Sequence, residues 1–129
     1  MDTIDAILKT AAGRADEAEV YLSRAESVGA ELSRDRVRIG QASHAIGLGI
    51  RVFAGGRVGA SSTNDPSRWE ACLEAALAAL RLADPQPWHG LPGPVALPAE
   101  PLAFDPAVTL APDTVAALLD AMKAGAAGH

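Results

Sequence analysis

A zinc or other catalytic metal centre needs three or four His, Cys, Asp or Glu side chains that converge, usually with two on one element at helical or hairpin spacing. The histidines of this chain, His44, His89 and His129, lie far apart, and none opens an H-E-x-x-H or H-x-x-E arrangement. They are expected to be loop or terminal residues. Cys72 is the single cysteine and falls on an apolar stripe, where a small buried side chain is the ordinary occupant rather than a nucleophile. Glu17, Glu19, Glu31 and Asp35 offer paired carboxylates for proton transfer, yet Glu17 and Glu19 alternate onto the solvent side of an expected strand, so solvation accounts for them. Gly55-Gly56-Arg57-Val58-Gly59 could be taken for a phosphate loop, but no Lys-Ser/Thr ending follows and the run leads into a strand, not a helix N-terminus. Turn geometry explains these glycines. No catalytic and no metal-ligating residue is expected in this chain.

Three residues remain as candidate contacts for a substrate or partner: Arg51, Arg57 and Trp88. Arg51 and Arg57 flank a turn and have the chemistry to pair with a peptide carboxylate or a partner's acid, although arginines near a hairpin tip are ordinarily solvated. Trp88 sits in a proline-rich segment, where it would pin the linker or meet a partner, while Trp69 is expected to anchor a helix on a sheet. Gly47 and Gly49 share one face of their strand, which predicts the close approach of a backbone or helix there.

The elements that position these residues are readable from period and punctuation. Ile4, Ile7, Leu8 and Ala11 follow helical spacing, with Asp2 or Thr3 as a cap and Gly13 as a stop. Residues 16–23 alternate, with Ala18, Val20 and Leu22 on one face. A second alternating run carries Val28, Ala30 and Leu32, and the polar Ser33-Arg34-Asp35 predicts a turn before residues 36–39. Ile46, Leu48, Ile50 and Val52 then alternate with Gly47, Gly49, Arg51 and Phe53, and Ala54-Gly55-Gly56 turns the chain back along residues 57–63. Asn64 and Asp65 before Pro66 open a helix over residues 66–83, whose stripe is Trp69, Cys72, Leu73, Ala76, Leu77 and Leu80. Eight of the nine prolines fall between Pro85 and Pro112, which predicts a semi-extended connector rather than a regular element. Val115, Leu118, Leu119 and Met122 begin a last helix, expected to stop at Gly125. The fold class is therefore α+β: a mostly antiparallel sheet with helices on one face, a proline-rich linker and a C-terminal helix.

The bulk numbers bound the function. Apolar residues make up 49% of 129 but aromatics only 4%, so the core must be built from Ala, Val, Leu and Ile. A net charge of −5 argues against nucleic acid as a partner. No apolar run approaches the ~20 residues that cross a bilayer, and the acidic N-terminus is unlike a secretory signal. One cysteine fits a reducing compartment, with the cytoplasm as the expected location.

The segment GLGIRVFAGGRVGASSTND, residues 47–65, resembles the hairpin signature near the start of TldD/PmbA (TldE) proteins, zinc metallopeptidases and their inactive partners that are also described as modulators of DNA gyrase. There a G-x-G-x-R-V strand precedes a G-R-x-G-x-x-S-T-x-D return. The early helix, the ADEAEVYLSRAES strand, the helix after Asn64-Asp65, the proline-rich passage and Phe104-Asp105-Pro106 agree in order. The resemblance implies an N-terminal domain in three parts: an α/β core over residues 1–84, a connector over 85–112, and over 113–129 the start of a helix leading to a C-terminal domain. Zinc would be bound in that C-terminal domain of a catalytic member, with no cofactor in this chain. The implied partners are a TldD or PmbA/TldE-type subunit, in a heterodimer, and unfolded peptide undergoing proteolysis.

Two functions follow from different premises. One is a non-catalytic domain that contributes to subunit assembly and to unfolded-peptide binding, with a peptide adding a strand to a sheet edge. The other is a free-standing interaction module that pairs through its acidic surface and proline-rich segment without any peptidase role. The Ala- and Gly-rich tail over 121–129 favours the first, as the end of a truncated chain.

Overall fold

The computed structural model describes residues 2–34, 36–87, 90–96, 99 and 105–128. Helix α1 (Thr3–Ala11) is followed by strands β1 (Glu17–Ser33), β2 (Arg36–Ala54) and β3 (Arg57–Thr63), a 3₁₀ turn (Pro66–Arg68), helix α2 (Trp69–Leu82) and helix α3 (Pro112–Ala127). The sheet order is β1-β2-β3, and β2 pairs with β3 antiparallel, with Leu48 opposite Thr63 and Ala54 opposite Arg57. This is the expected α+β arrangement. Among the described residues, no helix is long and apolar enough to cross a membrane.

The chain divides into two compact units, Met1–Arg24 with Ala45–Ala96, and Ala25–His44 with Leu97–His129, and β1 and β2 run through both. In the first unit, the alternating residues Leu48, Ile50 and Val52 of β2 are fully buried against Leu73, Ala76, Leu77 and Leu80 of α2 and Ile7 and Ala11 of α1. Ala18, Val20 and Leu22 of β1 and Trp69 of α2 pack around this core. Period two on the strands meets period 3.6 on the helices because each element buries one face only. Gly13, at φ 82°, ends the α1 turn, and Gly55 and Gly56, at φ 56° and 72°, form the β2–β3 turn.

Among the glycines, the tightest packing is at Gly59 of β3, which is buried under α2. A Cβ placed there would collide with the carbonyl oxygen of Ala76 and the amide of Leu80, and would stand 2.7 Å from the Leu80 Cβ. The expectation of close approach at Gly47 and Gly49 is thus corrected: Gly47 has nothing within 4 Å and Gly49 only the Tyr21 carbonyl at 4.0 Å. Those two glycines lie on the face away from α2.

Asp65 caps the 3₁₀ turn, accepting from the Ser67 hydroxyl at 2.6 Å and the Ser67 amide at 3.1 Å. These bonds, the hydroxyl's first, hold its carboxyl below the usual range. A depressed folded value contributes stability that is present above the unfolded value of about 3.9 and lost as pH falls through the lower folded value. Asp65→Asn is therefore expected to be less stable than the wild type at neutral pH, with the gap closing below about pH 4. Urea melts of both proteins at neutral and acid pH check this.

In the second unit, Arg34 sits at the hairpin turn with φ 48°. The Ser27 and Ser43 hydroxyls bond across β1 and β2 at 2.7 Å, and His44 Nδ1 meets Glu26 at 3.2 Å. Helix α3 runs past Gly125 to Ala127, beyond its expected stop. One glycine costs only about 1 kcal/mol in a helix interior, less than is needed to end it. Along α3, Val115 and Leu119 are half-buried while Leu118 and Met122 are exposed.

Candidate functional site

Strand alternation gives the first unit's sheet a second face, opposite α2, that carries Glu19 and Tyr21 from β1, Gly49 and Arg51 from β2, and Ala60 and Ser62 from β3. These residues line an open groove of about 480 Å³. An adjoining depression of about 390 Å³ shares Tyr21, Gly49 and Ser62 and continues to Ser23, Gly47 and Asn64. Small side chains at Gly47, Gly49, Ala60 and Ser62 create the hollow, and Tyr21, 69% exposed, stands on its floor. Because β3 ends the sheet, this groove lies beside backbone groups on the strand's outer edge that β2 does not pair.

The groove's charge is balanced. Arg51 forms an ion pair with Glu19, and its guanidinium stands 5.9 Å from the centroid of the Phe53 ring. Both charged side chains keep substantial exposure, so the pair is worth about 0–1 kcal/mol and exchanges readily for a better partner. Arg51 can thus donate to a peptide carbonyl or carboxylate. Phe53 itself is 2% exposed on this face, a burial that alternation alone did not reveal.

Two of the three candidate contacts, Arg51 and Arg57, do not fall together. Arg51 lines the groove, while Arg57 pairs with Ala54 at the turn and so belongs to the opposite face of the sheet. Trp88 lies outside the described residues. Sequence reasoning missed the use made of Asp16 and Glu17. Asp16 accepts from the Gly55 amide at 3.1 Å and donates its own amide to Phe53 at 2.8 Å, which closes the β2–β3 turn onto the start of β1. Glu17 accepts from the Leu91 amide at 3.0 Å, with Gly90 at φ 100° beside its carboxylate, and the Gln86 amide donates to Gly56 at 2.7 Å. The first part of the proline-rich segment is thereby strapped to the sheet end. Glu17 and Glu19 are correspondingly not merely solvated: one holds the strap and the other holds Arg51.

Among the described residues, no three His, Cys, Asp or Glu side chains gather into a metal-binding group. Cys72 is buried, its thiol directed at the Ser61 hydroxyl at 3.6 Å, and His44 is occupied with Glu26. A zinc ion does not fit these donors.

A three-stranded sheet with one face packed on a helix and the other left as an open groove defines an α+β domain. Its family is explicit in the sequence: the model of the PmbA/TldA metallopeptidase domain 1 matches residues 18–83, about half of the chain, and the chain belongs to that family. The crystal structure of TldE from Thermococcus kodakarensis superposes with a TM-score of 0.70 at 18% identity, covering 78% of this chain and 24% of that one. That likeness is one of fold, and the chain spans about a quarter of the solved relative. No curated protein matches the chain.

Proposed function

We propose that this chain is the non-catalytic N-terminal domain of a TldD/PmbA-type metallopeptidase or of its inactive partner, acting in subunit assembly and in the binding of unfolded peptide during proteolysis. The observation that carries this reading is the open groove beside the terminal strand β3. A peptide added along β3 would satisfy main-chain donors and acceptors whatever its sequence, and the small residues Gly49, Ala60 and Ser62 would leave room for varied side chains. Arg51 would take a carboxylate or carbonyl of the peptide. In this reading residues 1–84 are the domain's core, 85–112 a connector and 113–129 the lead into a C-terminal domain, and any catalytic zinc is held outside this chain. The partner is a TldD or PmbA/TldE-type subunit in a heterodimer, and the single buried, unpaired thiol of Cys72 suits a cytoplasmic location.

Hydrogen exchange of the protein with a short unstructured peptide tests the binding role. Amides of residues 57–63 are expected to exchange more slowly at saturating peptide, with little change in α1. Unchanged exchange along β3 would remove the peptide-binding role. Sedimentation with a candidate partner subunit tests assembly separately, and a chain that binds neither would fit a free-standing module instead.

A further inference from the structure

Arg34, Arg36 and Arg38 stand at the closed end of the β1–β2 hairpin, and with Ser33 and Val37 they line one open hollow of about 770 Å³. None of the three forms an ion pair among the described residues, whereas Arg14 and Arg51 are both paired. With three arginines against one aspartate, residues 34–38 carry +2, so the rest of a chain whose net charge is −5 carries −7. This is a strong separation of charge for so short a segment. Arg36 and Arg38 follow one another on one strand face, about 6.7 Å apart along the strand. Leu32 and Ile39 beside them are 42% and 46% exposed.

Guanidiniums hold carboxylates through paired, charge-assisted bonds, and arginine is enriched where protein surfaces meet. Exposed aliphatic groups next to them suit a protein surface. The hollow's lining has no aromatic side chain on which a base could stack, and the acidic remainder would repel a long polyanion. We infer that this hairpin end docks a net-acidic protein partner whose carboxylates pair with Arg34, Arg36 and Arg38 while its apolar groups cover Leu32 and Ile39. The inference rests on the second unit alone and stands whether or not the groove beside β3 binds peptide.

The test uses the whole chain and three labelled probes: a peptide of alternating glutamate and leucine, an oligothymidylate of equal charge, and vesicles containing phosphatidylserine. The peptide is expected to bind most tightly and to weaken as salt rises. Its affinity should fall about tenfold or more in a variant combining Arg34→Ala, Arg36→Ala and Arg38→Ala, with an unchanged melting midpoint because these side chains are exposed. The corresponding triple lysine variant keeps the charge without the planar fork and should retain part of the affinity, which separates pairing from a folding defect. Tighter binding of the oligonucleotide or the vesicles, no peptide binding at low salt, or an affinity indifferent to the alanine variant would overturn the proposal.

Discussion

Gly59→Ala is expected to be among the most damaging single-methyl changes in this chain, lowering stability by about 3 kcal/mol or more, near the upper range for overpacking. The added Cβ meets the backbone of α2 at Ala76 and Leu80, not the end of a flexible side chain, so no rotamer change relieves it. The helix itself must lift from β3, and lifting it loosens the contacts of Ala76, Leu77 and Leu80 together, because the interior is close-packed. Urea denaturation of wild type and variant reads the effect. Gly47→Ala is the matched control: nothing lies within 4 Å of the added methyl, and the change is expected to stay within about 0.5 kcal/mol. Equal effects at the two positions would contradict the packing described for β3 and α2.

Leu73→Ala is expected to cost about 3–4 kcal/mol, within the range for leucine truncations in cores. Leu73 is 1% exposed and sits among Ile7, Leu48, Ile50 and Leu77, in a core with few large side chains to close the void. Domains of this size are stabilised by about 5–15 kcal/mol in total, so the loss is a large fraction. Leu118→Ala on α3, where the side chain is 62% exposed, should stay within about 0.5 kcal/mol. A comparable cost at both leucines would mean that Leu118 is covered in solution.

The hairpin that bears the groove was legible because three signals agreed: alternation from Ile46 to Val52, two glycines able to take positive φ, and a return strand. The helix after Asp65 was legible for the same reason. The outer halves of β1 and β2 were legible in part: the Val28-Ala30-Leu32 alternation and the turn before residues 36–39 were read as a hairpin or bent strand, but the continuity of the two strands was not. Residues 24–27 and 38–45 are exposed, so no buried face imposes a period of two there, and the strands are sustained by their ladder instead. What reads as two broken pairs of strands is one long hairpin. The groove's hollow was half legible: Gly47 and Gly49 were singled out, but for a close approach that occurs at Gly59. A glycine marks a close approach, a positive φ or, as at Gly47, neither, and one sequence does not say which. The roles of Asp16 and Glu17 depend on partners 39 and 74 residues away, a separation that no local pattern encodes.

Parity in the β2–β3 hairpin constrains how a sequence of this kind can change. Core and groove are the two sides of the same three strands, distinguished only by whether a position is odd or even, and the Gly55-Gly56 turn sets the count for β3. Inserting one residue there that the turn did not absorb would carry Ala60 and Ser62 toward α2 and bring Gly59, with its missing side chain, out to the groove. A one-residue insertion at this turn is therefore tolerated only where a bulge or a longer loop absorbs it, while residues 31–34 at the far end of the β1–β2 hairpin, all exposed, have no such parity to keep.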